Sequence, residues 1–230
     1  RGVHMDLNRI KNAVFAGEKV LDYGEVNPAI IRSWERVAKT KVTSTTKSPL
    51  FPRQSEPPVR ARKELLALFR KIGPQLRESL GNPELIGCLL TDQFGNLSLS
   101  NLGEDLQQAL SSHGRQDDCT FSENTLGTNA IDISLREREA TTSAGAEHTH
   151  PALQDLAIYA IPLTGSDENL LGALAIITSE KEFASKQRRR LALIAAFIET
   201  TIQAAASNEE LAQRLDEQKA IANATRDGTM

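Results

Sequence analysis

Aromatic residues make up only 4% of this 230-residue chain, and Trp34 is the single tryptophan. So few rings argue against a broad stacking platform for single-stranded nucleic acid. Cysteine is nearly absent. Cys88 and Cys119 are the only two, without CxxC spacing, which fits a reducing cytoplasm and argues against a disulfide framework or a zinc module. No sign of charge dominates: 27 Lys and Arg face 30 Asp and Glu, a net charge of −3. The chain as a whole therefore has no attraction to nucleic acid or to an anionic membrane. No apolar run approaches the ~20 residues that a membrane span needs. The sequence also contains no GxxxxGK[ST] phosphate loop, nucleophile elbow, HExxH or dinucleotide-binding loop, so its inventory points to no enzyme and to no ATPase of its own.

What is present suits a packed domain. Hydrophobic residues make up 40% and charged residues 25%, close to globular averages. Residues 1–4, before Met5, read as a tag remnant, lacking the layout of a signal peptide. Residues 5–59 read as an N-terminal helical extension and linker. Asn27-Pro28 can open a helix, because proline suits the first helical turn, and Ile30, Ile31 and Trp34 then share one face. Four prolines between 40 and 58 mark an irregular connector.

Residues 60–205 read as the main domain. Leu65, Phe69, Ile72, Leu76 and Leu80 form an amphipathic stripe, with Gly73-Pro74 as a kink. Runs at 85–90 and 97–100 flank an Asp/Gly/Asn turn and predict a hairpin. Residues 103–112 suggest a short helix and 125–139 another. Strands at 156–163 and 170–178 predict a second hairpin through 165–169, with Pro162 at a strand end or an edge. A long helix follows from Ala184 with Leu191, Ile194, Ile198 and Ile202 inward. It continues as a connecting helix at 206–230 towards a downstream module, and its thinning stripe predicts a helical dimer seam. The fold class is α+β, an antiparallel sheet of about five or six strands with helices on its faces.

Several residues admit two readings. Thr128 and Asn129 stand at a helix N-terminus, where N–H groups and the dipole favour an anionic or carbonyl ligand. They equally suit a helix cap and a loop anchor. Glu147, His148 and His150 could be a site acid and imidazoles. Too few further ligands exist for a metal, and a helix start with Glu147 in its first turn fits as well. Cys88 reads as core. The thiolate of Cys119 is disfavoured by Asp117 and Asp118. The run 186–190, Lys-Gln-Arg-Arg-Arg, reads as a solvated helix face rather than a DNA reader.

Four strings of the sequence resemble a known family. Phe121-Ser122-Glu123-Asn124-Thr125-Leu126-Gly127-Thr128-Asn129-Ala130-Ile131 is similar to the W-S-E-x-x-x-G-T-N-A-I signature of one GAF subfamily. Gly145-Ala146-Glu147-His148 is similar to its G-x-E-H segment, and Ala160 to Leu163 with Leu171 to Leu174 to its hairpin. Ile30 to Arg36 is similar to the I-x-x-S-W-x-R motif near the start of the same proteins. These are sigma-54-dependent transcription activators of the acetoin-catabolism and dihydroxyacetone-kinase-regulator types. The last residues, 220–230, resemble the start of a PAS domain.

The resemblance implies a GAF-type sensory part of a DNA-binding protein, with no cofactor, no metal, no membrane and no nucleic-acid contact by this fragment. It implies a small-molecule effector of unknown identity, held by Phe121, Thr128, Asn129, Glu147, His148 and Tyr159, and a signal relayed through dimeric terminal helices. The alternative is a module that docks a regulatory protein, or only dimerises, without a small ligand. A site packed shut by Phe121, Tyr159 and Ile131 would favour that alternative. The chain departs from the pattern at Phe121, where tryptophan is usual, at Asp132, and at Thr149-His150-Pro151.

Overall fold

Four apolar or alternating segments and one polar segment pair into one antiparallel sheet in the computed structural model. The structure describes residues 6–20, 23–40, 86–104, 120–164 and 169–179, with helical positions at 66, 69, 70, 73, 74, 77 and 78, residues 106 and 107, and positions 193, 196, 200 and 204. Helices α1 (Leu7–Phe15) and α2 (Pro28–Thr40) come first, then strands β1 (Ile86–Asp92) and β2 (Leu97–Leu102). Short helix α3 (Glu123–Leu126) and helix α4 (Ala130–Glu137) precede β3 (Thr141–Ala144), β4 (Ala157–Thr164) and β5 (Leu170–Thr178). The sheet order is β2-β1-β5-β4-β3, and every pairing is antiparallel. The α+β, GAF-like fold class read from the sequence is what the structure has.

Period-two alternation assigns the core residues to two faces. Leu89, Ile158, Ala160, Ala175 and Ile177 pack with Phe121, Ile131 and Leu135 on the α4 side. Cys88, Leu90, Ala157, Tyr159, Leu174 and Ile176 pack with Phe69 on the other. β1 is buried along its whole length, as a strand covered on both faces must be. Its hairpin to β2 is tied by Asp92, whose Oδ1 accepts from the Phe94 and Asn96 amides at 2.9 Å each.

Three local readings change, and the one for Pro162 holds. The helix predicted over 125–139 is two helices, because Gly127 leaves the helical region and Asn129 restarts it as a cap. Residues 145–147, read as a helix start, form only a 3-10 turn, and a second such turn spans Pro151–Leu153. β3 has no counterpart in the sequence reading: Thr-Thr-Ser-Ala shows no apolar alternation, yet it forms an edge strand. Pro162 lies inside β4, whose pairing with β3 ends at Ala160, so from 161 onward, among the described residues, only the β5 side is paired. It therefore sits at a local edge, as its missing N–H requires.

Gly73 and Pro74 are both helical. Of the predicted 103–112 helix, Glu104, Leu106 and Gln107 are helical, Gly103 is not, and the rest lies outside the described residues. So do residues 165–168 of the turn, the stripe Leu191, Ile194, Ile198 and Ile202, the 206–230 helix and the dimer seam read from them. Leu193, Ala196, Thr200 and Ala204 are helical and exposed, one outward face at helical spacing.

The N-terminal helices, read as an extension, carry a small core of their own that reaches the domain at one buried residue. Ile10, Val14, Ala29, Ile30 and Trp34 cluster with Ile133 of α4. Asn27 caps α2, accepting from the Ala29 amide at 2.9 Å, so proline at the first helical position forfeits nothing.

Candidate functional site

The segment 121–129 is folded by its own side chains. The Ser122 hydroxyl caps α3, and Gly127 ends it at φ +63°. A Cβ at Gly127 would lie 1.9 Å from Thr149 Oγ1. That oxygen accepts from the Thr128 amide at 2.8 Å, so the glycine both turns the chain and makes room for the bond. Asn129 then uses its whole amide. Oδ1 accepts from the Ile131 and Asp132 amides, each at 3.1 Å, capping α4. Nδ2 donates to the carbonyls of Phe121 at 2.7 Å and Gly127 at 2.8 Å.

A second polar chain runs from α4 into the 145–153 turns. The Ala130 amide donates to Ser143 Oγ at 2.8 Å, and Ser143 Oγ lies 2.8 Å from His148 Nε2. His148 Nδ1 lies 2.6 Å from the Leu153 carbonyl, an acceptor only, which makes Nδ1 the protonated nitrogen. Nε2 then accepts from the serine hydroxyl. Burial pushes the imidazole down to about 4, so it is neutral at ordinary pH. A serine beside a histidine suggests a nucleophile and its base, but Ser143 and His148 are both fully buried and no substrate atom could reach them. The Glu147 carboxylate turns back to accept from the Ala144 amide at 2.8 Å.

The N-terminal helices close over these two segments. Lys11 of α1 donates to the Ala146 carbonyl at 2.7 Å and to that of His148 at 3.3 Å. Trp34 Nε1 donates to the Glu147 carbonyl at 2.8 Å, and Ser33 Oγ to Thr128 Oγ1 at 2.9 Å. Arg36 grips Glu123 with two bonds, of 2.8 Å and 2.7 Å, and the side chain of Glu123 is only 4% exposed. Arg32 holds Glu137 in the same two-bonded way, at 3.0 Å and 2.9 Å. Arg136 bonds Asp132 and lies 3.7 Å from Glu123. Burial raises the Asp132 carboxyl above its usual range, while Arg136 pulls it down.

Thr128, Asn129, Glu147, His148 and Phe121 are thus brought together under α2. Tyr159 is not. It lies with Phe69 on the opposite face of the sheet, because it alternates with Ile158 and Ala160 along β4. The expected site of six residues is five residues on one face and one on the other. Every polar side chain of the five bonds an atom of this chain, and Thr128, Asn129 and His148 are fully buried. Ile131 and Phe121 are buried as well. Among the described residues, no three of His, Cys, Asp and Glu come together as metal ligands.

Sequence reasoning missed Lys11, Arg32, Ser143 and Glu137. A signal existed for Ser33, Trp34 and Arg36: they occupy the named positions of one short motif, and each meets a residue of another. The three bonds join I-x-x-S-W-x-R to S-E, to G-T-N and to G-x-E-H.

No protein family matches the sequence, and no curated protein matches it. Among solved structures, the chain is similar to the crystal structure of the E. coli DhaR(N)-DhaL complex. The TM-score is 0.70 at 23% identity, covering 85% of this chain and 67% of that one. A slighter likeness, TM-score 0.39 at 15% identity, is to a GAF domain/HD domain protein from Geobacter sulfurreducens, covering 63% of this chain and 98% of that one. The first likeness shows the fold. Among the described residues, no helix is long and apolar enough to cross a membrane.

Proposed function

We propose that this chain is the regulatory input part of a bacterial sigma-54-dependent transcription activator, and that its input is a docked protein rather than a small metabolite. One observation carries the second clause. The polar groups that the resemblance assigns to an effector, on Thr128, Asn129, Glu147 and His148, are bonded to this chain's own atoms. A carbonyl or carboxylate ligand at Thr128 would have to displace Ser33 and strand its hydroxyl, at about 1–3 kcal/mol. The fold comparison favours the DhaR side of the resemblance over the acetoin-catabolism side, and that structure holds DhaR(N) together with a second protein, DhaL.

The chain would do this without catalysis of its own, since Ser143 and His148 are sealed from any substrate. Its message would pass through the terminal helices to a downstream domain, with about 1–3 kcal/mol of coupling. Titration calorimetry with a DhaL-type protein tests the reading. Saturable binding supports it, and an absence of heat at tens of micromolar protein speaks against it.

A further inference from the structure

We infer that helices α1 and α2 form a releasable clamp over residues 123–148, joined to the domain by polar bonds more than by apolar packing. The pair carries its own small core. Of the six buried side chains in its cluster, only Ile133 belongs to the domain, and the partly buried residues around it, Leu7, Val20, Tyr23 and Val26, also belong to the N-terminal segment. Both faces of the sheet, by contrast, are sealed by many apolar residues from several elements.

The attachments are polar and fall within one stretch of sequence. Lys11 reaches the carbonyls of Ala146 and His148, Trp34 that of Glu147, and Ser33 the Thr128 hydroxyl. Arg36 and Arg32 reach Glu123 and Glu137. A polar, modest interface between units with separate cores is the kind that opens as a unit. Release would leave the domain intact. Asn129 keeps its cap, Thr128 keeps its amide bond to Thr149, and the Ser143–His148–Leu153 chain uses no atom of α1 or α2. Opening would uncover the Glu123 and Glu137 carboxylates, the Thr128 hydroxyl, the carbonyls of Ala146, Glu147 and His148, and Ile133. Water can satisfy the polar groups, so the resistance comes from apolar burial, at Ile133 among others.

The clamp rests on the regulatory reading for its purpose alone. Its opening is a property of the isolated chain, so a failure to bind any protein partner leaves it untouched.

Hydrogen exchange read by mass spectrometry on the full chain tests it, with Trp34 emission as a second reporter. Trp34 is the only tryptophan and is fully buried, so its emission follows the clamp. Residues 7–15 and 28–40 should exchange together and faster than β1 and β5. Molar salt should speed them, because the ion pairs are screened. Arg36→Ala should raise their opening about tenfold, a moderate effect because Arg136 still lies 3.7 Å from Glu123. It should also move Trp34 emission to longer wavelength and leave β1 and β5 unchanged. Lys11→Met, which removes only the α1 attachment, should speed residues 7–40 in the same way. Should Arg36→Ala fail to fold, the wild-type salt series and Lys11→Met carry the test. Exchange of 7–40 at the rate of β1 and β5, in the wild type at every salt concentration and in Lys11→Met, would overturn the clamp.

Discussion

Ser143 Oγ lies 2.8 Å from His148 Nε2 and accepts from the Ala130 amide at the same distance, so one hydroxyl joins the start of α4 to the 145–153 turns. Each member of this chain is buried. The histidine therefore acts as a neutral crosslink, and its value depends on staying neutral.

That dependence sets a pH response. The folded-state pKa of His148 is down at about 4, against 6.5 for a free imidazole. The unfolded chain takes up its proton first as pH falls, so the stability His148 confers is full above 6.5 and is lost progressively between 6.5 and 4. The loss amounts to about 3 kcal/mol. His148→Leu should cost about 2 kcal/mol at pH 7, through the stranded Ser143 hydroxyl and Leu153 carbonyl. Urea denaturation at several pH values should show the gap between wild type and variant closing at pH ~5 and reversing by pH ~4. A gap that stays constant would refute the neutral crosslink.

Asn129 makes four bonds with one amide, so its removal should be felt in stability rather than in any binding event. Asn129→Ala should cost about 3 kcal/mol, combining a lost cap with the stranded carbonyls of Phe121 and Gly127. Thermal or urea melting checks this. A variant as stable as wild type would return Asn129 to the role of a ligand contact.

Two glycines of similar positive φ should answer alanine differently. Gly17, at φ +73°, has nothing within 4 Å of where a methyl group would stand, so Gly17→Ala should cost about 1 kcal/mol from the left-handed backbone alone. Gly127, at φ +63°, faces Thr149 Oγ1 at 1.9 Å. Gly127→Ala adds overpacking and should cost about 3 kcal/mol or more. Equal melting temperatures for the two variants would contradict the close approach.

The strands were legible along 85–90, 97–100, 156–163 and 170–178, because each is an apolar or alternating run that ends in turn residues. β3 was not, since Thr141, Thr142, Ser143 and Ala144 carry no hydrophobic pattern and are held by pairing with β4. The break at 127–129 needed tertiary information as well. Asn129 caps α4 only because Phe121 and Gly127 offer carbonyls to its other end. The motifs singled out residues whose partners within the chain lie far off in sequence: Thr128 and Glu147 face Ser33 and Trp34, ninety-odd and more than a hundred residues earlier. Tyr159 was misplaced for a simpler reason. Its face depends on strand parity, which the motif match ignored.

Pro162 guards the stretch of β4 beyond the end of β3. Replacing it with valine supplies an N–H and a strong strand former at an edge that pairs with no described strand, flanked by Ile161 and Leu163. Pro162→Val should leave melting nearly unchanged and raise self-association at high concentration, seen by light scattering. A variant that stays as monodisperse as wild type would show that the edge is covered.

If the signature residues join this chain to itself and hold no small ligand, small metabolites should leave its stability alone. A thermal-shift screen of the wild-type chain against small ketones, diols and carboxylates tests this most directly, because a ligand that binds the folded state must raise its melting temperature. No compound in the panel should do so. A compound that raises the melting temperature saturably, and no longer does so in Thr128→Val, would contradict the protein-docking reading.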